Sequence, residues 1–169
     1  MIEIIVHLEA DMRIVVVSDT HRDFRALYEL VQRQKECTDL FLHLGDGERE
    51  VEDLLQLMPE LPLRYVQGNC DLCSQAPDRD LVPAGEVKLF MTHGHLHHVK
   101  HSLAELIWEA RALHAAVALY GHTHCPDYRY EDGLHILNPG SLSQPRGSSR
   151  SYGVIEIHGK QALCSLAPF

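Results

Sequence analysis

The sequence predicts a single α/β domain made of two stacked sheets with helices outside. Three observations carry this prediction. Apolar, β-branched runs alternate with amphipathic stretches through the first two thirds of the chain. The last third breaks into short strands separated by Gly turns. Every early strand ends in a cluster of Gly, Asp, Asn or His. The alternation calls for helices packed on a sheet, and the terminal meander calls for a second strand layer. A length of 169 residues fits one domain with a sizeable core.

Met12-Arg13 opens Ile14-Val15-Val16-Val17, a run that reads as a buried strand. Ser18-Asp19-Thr20-His21 follows, then a helix from Asp23 to about Gln34 with Phe24, Leu27, Leu30 and Val31 on one face. Asp39 to Leu44 reads as the second strand, ending at Gly45-Asp46-Gly47. A helix from Glu48 to Met58 turns Val51, Leu54, Leu55 and Met58 inward, and Pro59 stops it. Leu63 to Val66 runs into Gly68-Asn69-Cys70-Asp71, and Val87 to Met91 into Thr92-His93-Gly94-His95. Ser102 begins a helix to about Leu113, and Ala115 to Leu119 ends at Tyr120-Gly121-His122-Thr123-His124. Short strands are expected at 128–130, 135–137, 151–158 and 161–165, with turns at Asp132-Gly133 and His158-Gly159. Residues 1–11 fit poorly with this series. They read as an N-terminal extension, either a mis-called start before Met12 or an extra edge strand over Ile2 to Val6, and 12–169 as the domain. They lack the pattern of a secretory leader.

Composition narrows the function. A net charge of −9 lacks the electrostatic footprint of a general nucleic-acid binder. No apolar run approaches the roughly 18 to 20 residues of a membrane span. Five Cys at irregular spacing argue against a disulfide framework and fit a reducing compartment, so a cytoplasmic location is expected. The unusual number is 13 His, almost as many as Lys and Arg together, so their positions become the question.

Carboxyl ends of adjacent strands in an open α/β sheet lie along one rim, where such sheets bind ligands. Asp19, His21, Asp46, Asn69, His93, His122 and His124 therefore converge although they are far apart in sequence. One octahedral ion has too few positions for two carboxylates, one amide oxygen and four imidazoles. Two ions about 3.5–4 Å apart, bridged by one carboxylate, would use all seven. Each residue alone has an ordinary structural explanation. Asp19 and Asp46 could cap helices, Asn69 could serve a turn, and a lone His at a strand end is usually solvated or part of a core. The combination is what carries the inference.

Asp19-x-His21, Gly45-Asp46, Gly68-Asn69, His93-Gly94 and Gly121-His122-Thr123-His124 resemble the five motif blocks of calcineurin-like binuclear metallophosphoesterases. Asn69-Cys70-Asp71, Asn138-Pro139-Gly140-Ser141, Pro145-Arg146 and the small size resemble the YfcE-like phosphodiesterase branch more narrowly. The resemblance implies a four-layer α/β/β/α sandwich with two mixed sheets. It implies that Asp19, His21 and His124 hold one metal, that Asn69, His93 and His122 hold the other, and that Asp46 bridges them. Two divalent ions are expected, Mn²⁺ first, with Fe, Zn, Ni or Co as alternatives. The corresponding chemistry is a metal-bridging hydroxide attacking phosphorus, with Asp46, Asn69 and His93 as the catalytic set.

No protein nucleophile is required, so Ser18 and Ser141 read as turn residues. Phosphomonoesterases of the superfamily often carry a His after the ligand Asn. Here that position is Cys70, and a thiol replaces imidazolium poorly, which favours diesters. His95, His97 and His98 lie near the rim and could supply a proton or simply be solvated. Cys70-x-x-Cys73 also permits a redox or zinc reading, which lacks the further ligands or helix opening it needs. His43 could bond a ligand carboxylate from below or be a structural histidine. The expected partner is a small phosphodiester rather than long nucleic acid or a membrane; self-association into a homo-oligomer is left open. The alternatives to an enzyme of this kind are a non-catalytic scaffold similar to the small retromer subunit, or a nuclease.

Overall fold

The computed structural model describes residues 11–169. The expected extension therefore lies outside the described residues except for Asp11, whose main-chain N–H donates to the Ile157 carbonyl at 2.8 Å. The first sheet has the order β10-β9-β1-β2-β3. Its members are β1 (Met12–Val17), β2 (Leu40–His43), β3 (Leu63–Tyr65), β9 (Ser151–His158) and β10 (Gln161–Pro168). The second has the order β4-β5-β6-β8-β7. It contains β4 (Arg79–Ala84), β5 (Val87–Thr92), β6 (Val117–Leu119), β7 (Asp127–Glu131) and β8 (Leu134–Asn138). The three α-helices are α1 (Phe24–Gln34), α2 (Glu48–Leu57) and α3 (Ala104–Ala112).

The period-2 geometry of a strand explains the layering. Ile14, Val16, Leu40 and Leu42 point into a core shared with Leu89, Met91, Val117 and Leu119 of the other sheet. Val15, Val17 and Phe41 point the opposite way, onto Leu27, Leu30 and Leu54 of α1 and α2. Phe90, Ala118 and Ile136 on the far side of the second sheet meet Leu106 and Ala110 of α3. The layers are therefore α/β/β/α, as expected. Strands covered on both faces read as unbroken apolar runs, which is why β1 shows no alternation in its sequence. Truncating one of these fully buried leucines to Ala should cost about 2–5 kcal/mol.

Helix ends settle two expectations. Asp23 caps α1, its carboxylate accepting from the Ala26 N–H at 3.0 Å, so Asp19 is free of that task. Gly47 stands at the N-cap of α2 without a side chain to cap it, so Asp46 is not the cap either. The helix expected from Ser102 starts at Ala104, whose N–H the Ser102 hydroxyl accepts. Strand β4 is an addition to the strands expected from the sequence. It pairs antiparallel with β5 at the sheet edge, with Pro83 exposed between buried Val82 and Ala84. An edge strand tolerates proline because that residue's missing N–H costs no ladder bond. No helix among the described residues is long and apolar enough to cross a membrane.

Parallel pairing sets the site. β1, β2 and β3 run parallel, as do β5, β6 and β8. Their carboxyl ends meet along one rim, where Gly121 N–H reaches the His93 carbonyl at 3.0 Å and Asp19 N–H reaches that of Gly45 at 3.0 Å.

Candidate metal centre

The loops at this rim carry an unusual backbone. Asp19, His21, Asp46, His122 and His124 all have positive φ, between 40° and 67°. L-residues adopt this left-handed region at a steric cost, which persists only where surrounding bonds enforce it. Two glycine contacts show how closely the loops approach. A Cβ on Gly68 would lie 2.1 Å from Asp46 Oδ1, and one on Gly121 would lie 2.0 Å from Ser18 Oγ. The Gly-Asp, Gly-Asn and Gly-His pairs of the sequence therefore serve backbone contact as well as turning.

Asp19, His21 and His124 form the first cluster, each offering a donor atom within 4.8 Å of the others. His124 Nδ1–H donates to the Gln144 carbonyl at 2.7 Å, which leaves its Nε2 with a lone pair. That nitrogen faces His21 Nε2 at 3.0 Å and Asp19 Oδ1 at 3.2 Å. Asp19 Oδ1 is buried and accepts no hydrogen bond. Its partner oxygen is fully used, accepting from Ser18 Oγ at 2.6 Å and the His122 N–H at 3.1 Å. Burial alone would raise the Asp19 carboxyl. The His124 and His21 imidazoles outweigh that and hold it well below the usual carboxylate range.

The second cluster is Asp46, His93 and Asn69. His93 Nδ1–H donates to the Leu44 carbonyl at 2.7 Å, so Nε2 again carries the lone pair of the neutral ring. It points at Asn69 Oδ1 at 3.2 Å and Asp46 Oδ2 at 3.4 Å, acceptor against acceptors. Asp46 Oδ2 also lies 3.8 Å from His21 Nε2, between the two clusters. Burial would lower the His93 imidazole; Asp46 beside it and the Asp19 charge together outweigh this and raise it. Burial would likewise raise Asp46, and His93 brings it down to about 2. Converging lone pairs and an unpartnered buried carboxylate oxygen fit divalent cations. His122 sits beside His93 with ring centroids 5.0 Å apart, and it belongs to none of the tight donor groups. Burial, then His93, lowers its imidazole to about 4.

Two buried or half-buried carboxylates support these loops without belonging to the expected ligand set. Asp71 accepts from four main-chain N–H groups, those of Asp46, Gly47, Glu48 and Gly68, at 2.8–3.0 Å. It ties the Asp46 loop to the Asn69 loop and supplies the cap α2 lacks. Glu50 accepts from Thr20 Oγ1 at 3.1 Å and from the Arg22 N–H. Ser18 and Ser141 do more than turn the chain: one bonds the Asp19 carboxylate and the other its carbonyl, at 2.6 and 2.7 Å.

The remaining histidines separate. His97 is turned away from the site and pairs with Glu109 of α3 at 2.7 Å, so it cannot deliver a proton to a substrate at the rim. His98 is exposed. His95 packs against His93 and His122, and burial lowers its imidazole. His43 bonds Thr20 Oγ1 at 3.1 Å rather than a ligand carboxylate. A groove of about 1090 Å³ opens beside His21, Asp46 and Cys70, walled by Arg22, Arg49, Tyr65 and 71–77. Its far wall ends at Pro77, before β4.

Comparison with known proteins agrees with this geometry. The family model described as the calcineurin-like phosphoesterase superfamily domain matches residues 12–160. The probable metallophosphoesterase YsnB of Bacillus subtilis is 33% identical over 153 residues, covering 89% of this chain and 88% of that protein. Phosphodiesterase YfcE of Escherichia coli is 36% identical over 101 residues, 54% of this chain and 50% of its own length. The crystal structure of a predicted phosphoesterase from Streptococcus pneumoniae superposes with a TM-score of 0.81 at 34% identity, covering 93% of this chain and 89% of that one. On this match, which includes every rim loop and all strands but β10, the chain belongs to the calcineurin-like phosphoesterase superfamily.

Proposed function

We propose that this protein is a phosphodiesterase dependent on two divalent metal ions, Mn²⁺ foremost. The observation that carries the reading is the facing of acceptors: Asp19 Oδ1 without a partner, and the Nε2 lone pairs of His93 and His124 directed at other acceptors. Asp19, His21 and His124 would hold one ion and Asn69, His93 and His122 the other. The position of Asp46 between His21 and His93 supports its role as the bridge. Ions held there would acidify a water to hydroxide near neutral pH and neutralise the phosphoryl oxygens.

The rest of the work falls to the chain. The groove gives a small diester room beside Asp46, and its mixed lining of Arg22, Arg49, Glu48 and Glu52 lacks the basic track that long nucleic acid requires. Burial and then Asp46 push the Cys70 thiol up to about 11, so it stays protonated and donates poorly. Leaving groups that depart without a proton are therefore favoured. A scaffold can let such donors erode, so the intact set of Asp19, His21, Asp46, Asn69, His93, His122 and His124 weighs for catalysis. The test is hydrolysis of bis(4-nitrophenyl) phosphate and 4-nitrophenyl phosphate by chelator-stripped protein with each divalent ion returned. Mn²⁺ should restore diester turnover, and Asp46→Ala should abolish it in a folded protein. Unchanged turnover after verified metal removal, or wild-type turnover by Asp46→Ala, would refute the reading.

A further inference from the structure

A buried polar chain lies beneath the Asp19–His21 loop, and the proposed chemistry does not use it. The Gly45 N–H donates to His43 Nδ1 at 3.2 Å, so in the neutral ring the proton sits on Nε2. Burial keeps that ring neutral by lowering its pKa to about 4. Nε2–H then donates to Thr20 Oγ1 at 3.1 Å, and the Thr20 hydroxyl must donate onward, to Glu50 Oε1 at 3.1 Å. The Arg22 N–H ends on the same carboxylate. Each donor meets one acceptor, and the chain runs in a single direction. It is sealed as well: a Cβ on Gly47 would lie 1.9 Å from Thr20 Oγ1 and 2.8 Å from the His43 ring, so nothing else fits between them.

Glu50 is 4% exposed, and its partners are a hydroxyl and a main-chain N–H. Its place in the first turn of α2 helps hold a buried carboxylate, because the helix N-terminus is the positive end of the dipole. What it grips is the segment Thr20–Arg22, in which His21 and Arg22 have φ of 40° and 69°, next to Asp19 at 56°. Backbone in that region relaxes unless held. His21 N–H is fixed to the Asp46 carbonyl at 2.9 Å, and Glu50 secures the residues on either side of His21.

We infer that Glu50, acting through Thr20 and the Arg22 main chain, is the positioning residue that holds Asp19 and His21 in their metal-binding geometry. The inference rests on the proposed metal centre. It assigns Glu50 no contact with substrate or metal; the effect passes through the loop backbone. Supporting groups of this kind are typically worth about 10–100-fold in metal affinity.

The experiment is titration of metal-free full-length protein with Mn²⁺, free ion being followed by electron paramagnetic resonance, alongside urea unfolding. Glu50→Ala should bind Mn²⁺ about 10–100-fold more weakly, while Glu50→Gln, which keeps the accepting oxygen, should stay within about threefold. Thr20→Val, equal in shape but without the hydroxyl, should weaken binding about tenfold, and Thr20→Ser should not. The valine and serine pair decides the matter if Glu50→Ala does not fold. Wild-type affinity in folded Thr20→Val or Glu50→Ala, or equal losses in the conservative and disruptive variants, would overturn the inference alone. A wild-type chain that takes up no Mn²⁺ or other divalent ion would overturn the metal centre and this inference together.

Discussion

Gly68→Ala is the substitution whose consequence the structure fixes most tightly. The new methyl carbon would lie 2.1 Å from Asp46 Oδ1 and 2.4 Å from Asp46 N, where ordinary contact begins at 3.4 Å. The two loops must therefore separate by about 1 Å at the main chain. Asp46 cannot yield freely, because its N–H is held by Asp71 at 2.8 Å and its carbonyl by the His21 N–H at 2.9 Å. Displacement would strain the Gly68 N–H bond to Asp71 and the Cys70 N–H bond to Asp46, both under 3 Å. Overpacking of this size costs about 1–3 kcal/mol, and a 1 Å misplacement at a reacting centre costs about 10²-fold in rate. The expected result is a lower urea midpoint and kcat/KM for bis(4-nitrophenyl) phosphate reduced about 10²-fold at saturating Mn²⁺. Gly133→Ala is the control. It has φ of +84° and nothing within 4 Å, so it bears the left-handed penalty away from the site and should keep its turnover. Gly68→Ala within threefold of wild type, with metal content matched, would refute the claim that backbone contact between these loops sets the Asp46 position.

Asp71→Asn replaces a group accepting four main-chain N–H bonds with an amide that has one accepting oxygen. Two stranded donors should cost about 1–3 kcal/mol each if they stay dry, read by urea unfolding, and Mn²⁺ affinity should fall with stability. Cys70→His should raise monoester relative to diester turnover, most for alkyl leaving groups. Cys70 is exposed at the groove with its sulfur within 4.8 Å of donor atoms of His21 and Asp46, so an added imidazole has both room and reach; an unchanged kcat/KM ratio at full metal content would sink the leaving-group argument. His43 supplies a pH signature. Its pKa falls from 6.5 to about 4 on folding, because burial penalises the charged ring. The unfolded chain thus binds more protons between those values. The contribution to stability is complete above pH 6.5 and lost as pH falls toward 4, about 3 kcal/mol in all. Urea unfolding of His43→Gln should show a shallower decline over that window than wild type; parallel curves would exclude the assignment.

The parts of this molecule that could be read in its sequence are those with local physical signatures. Strands buried on both faces produce unbroken runs such as Ile14 to Val17, and the rim loops need Gly beside a metal-type donor, so the two patterns occur together. Strand β4 was hidden because Pro83 reads as a breaker, and only pairing with β5 makes it an edge strand. The part played by His97 depends on Glu109, which reaches it from α3. The Thr20 partner of His43 and the Ser141 bond to the Asp19 carbonyl were obscured in the same way, by contacts across 23 and 122 residues. Asp71 did leave a trace. Gly47 opens α2 without a capping side chain, and a carboxylate two residues beyond Asn69 was available to replace it.

The proposed function requires the rim residues to form a centre for two divalent ions bridged by Asp46. Equilibrium dialysis of chelator-stripped protein against Mn²⁺, with metal analysis of the folded chain, tests it most directly. Two ions should bind per wild-type chain, and binding at both sites should be impaired in Asp46→Ala. A folded wild-type chain that binds no divalent ion, or an Asp46→Ala chain that holds two as tightly as wild type, would contradict it.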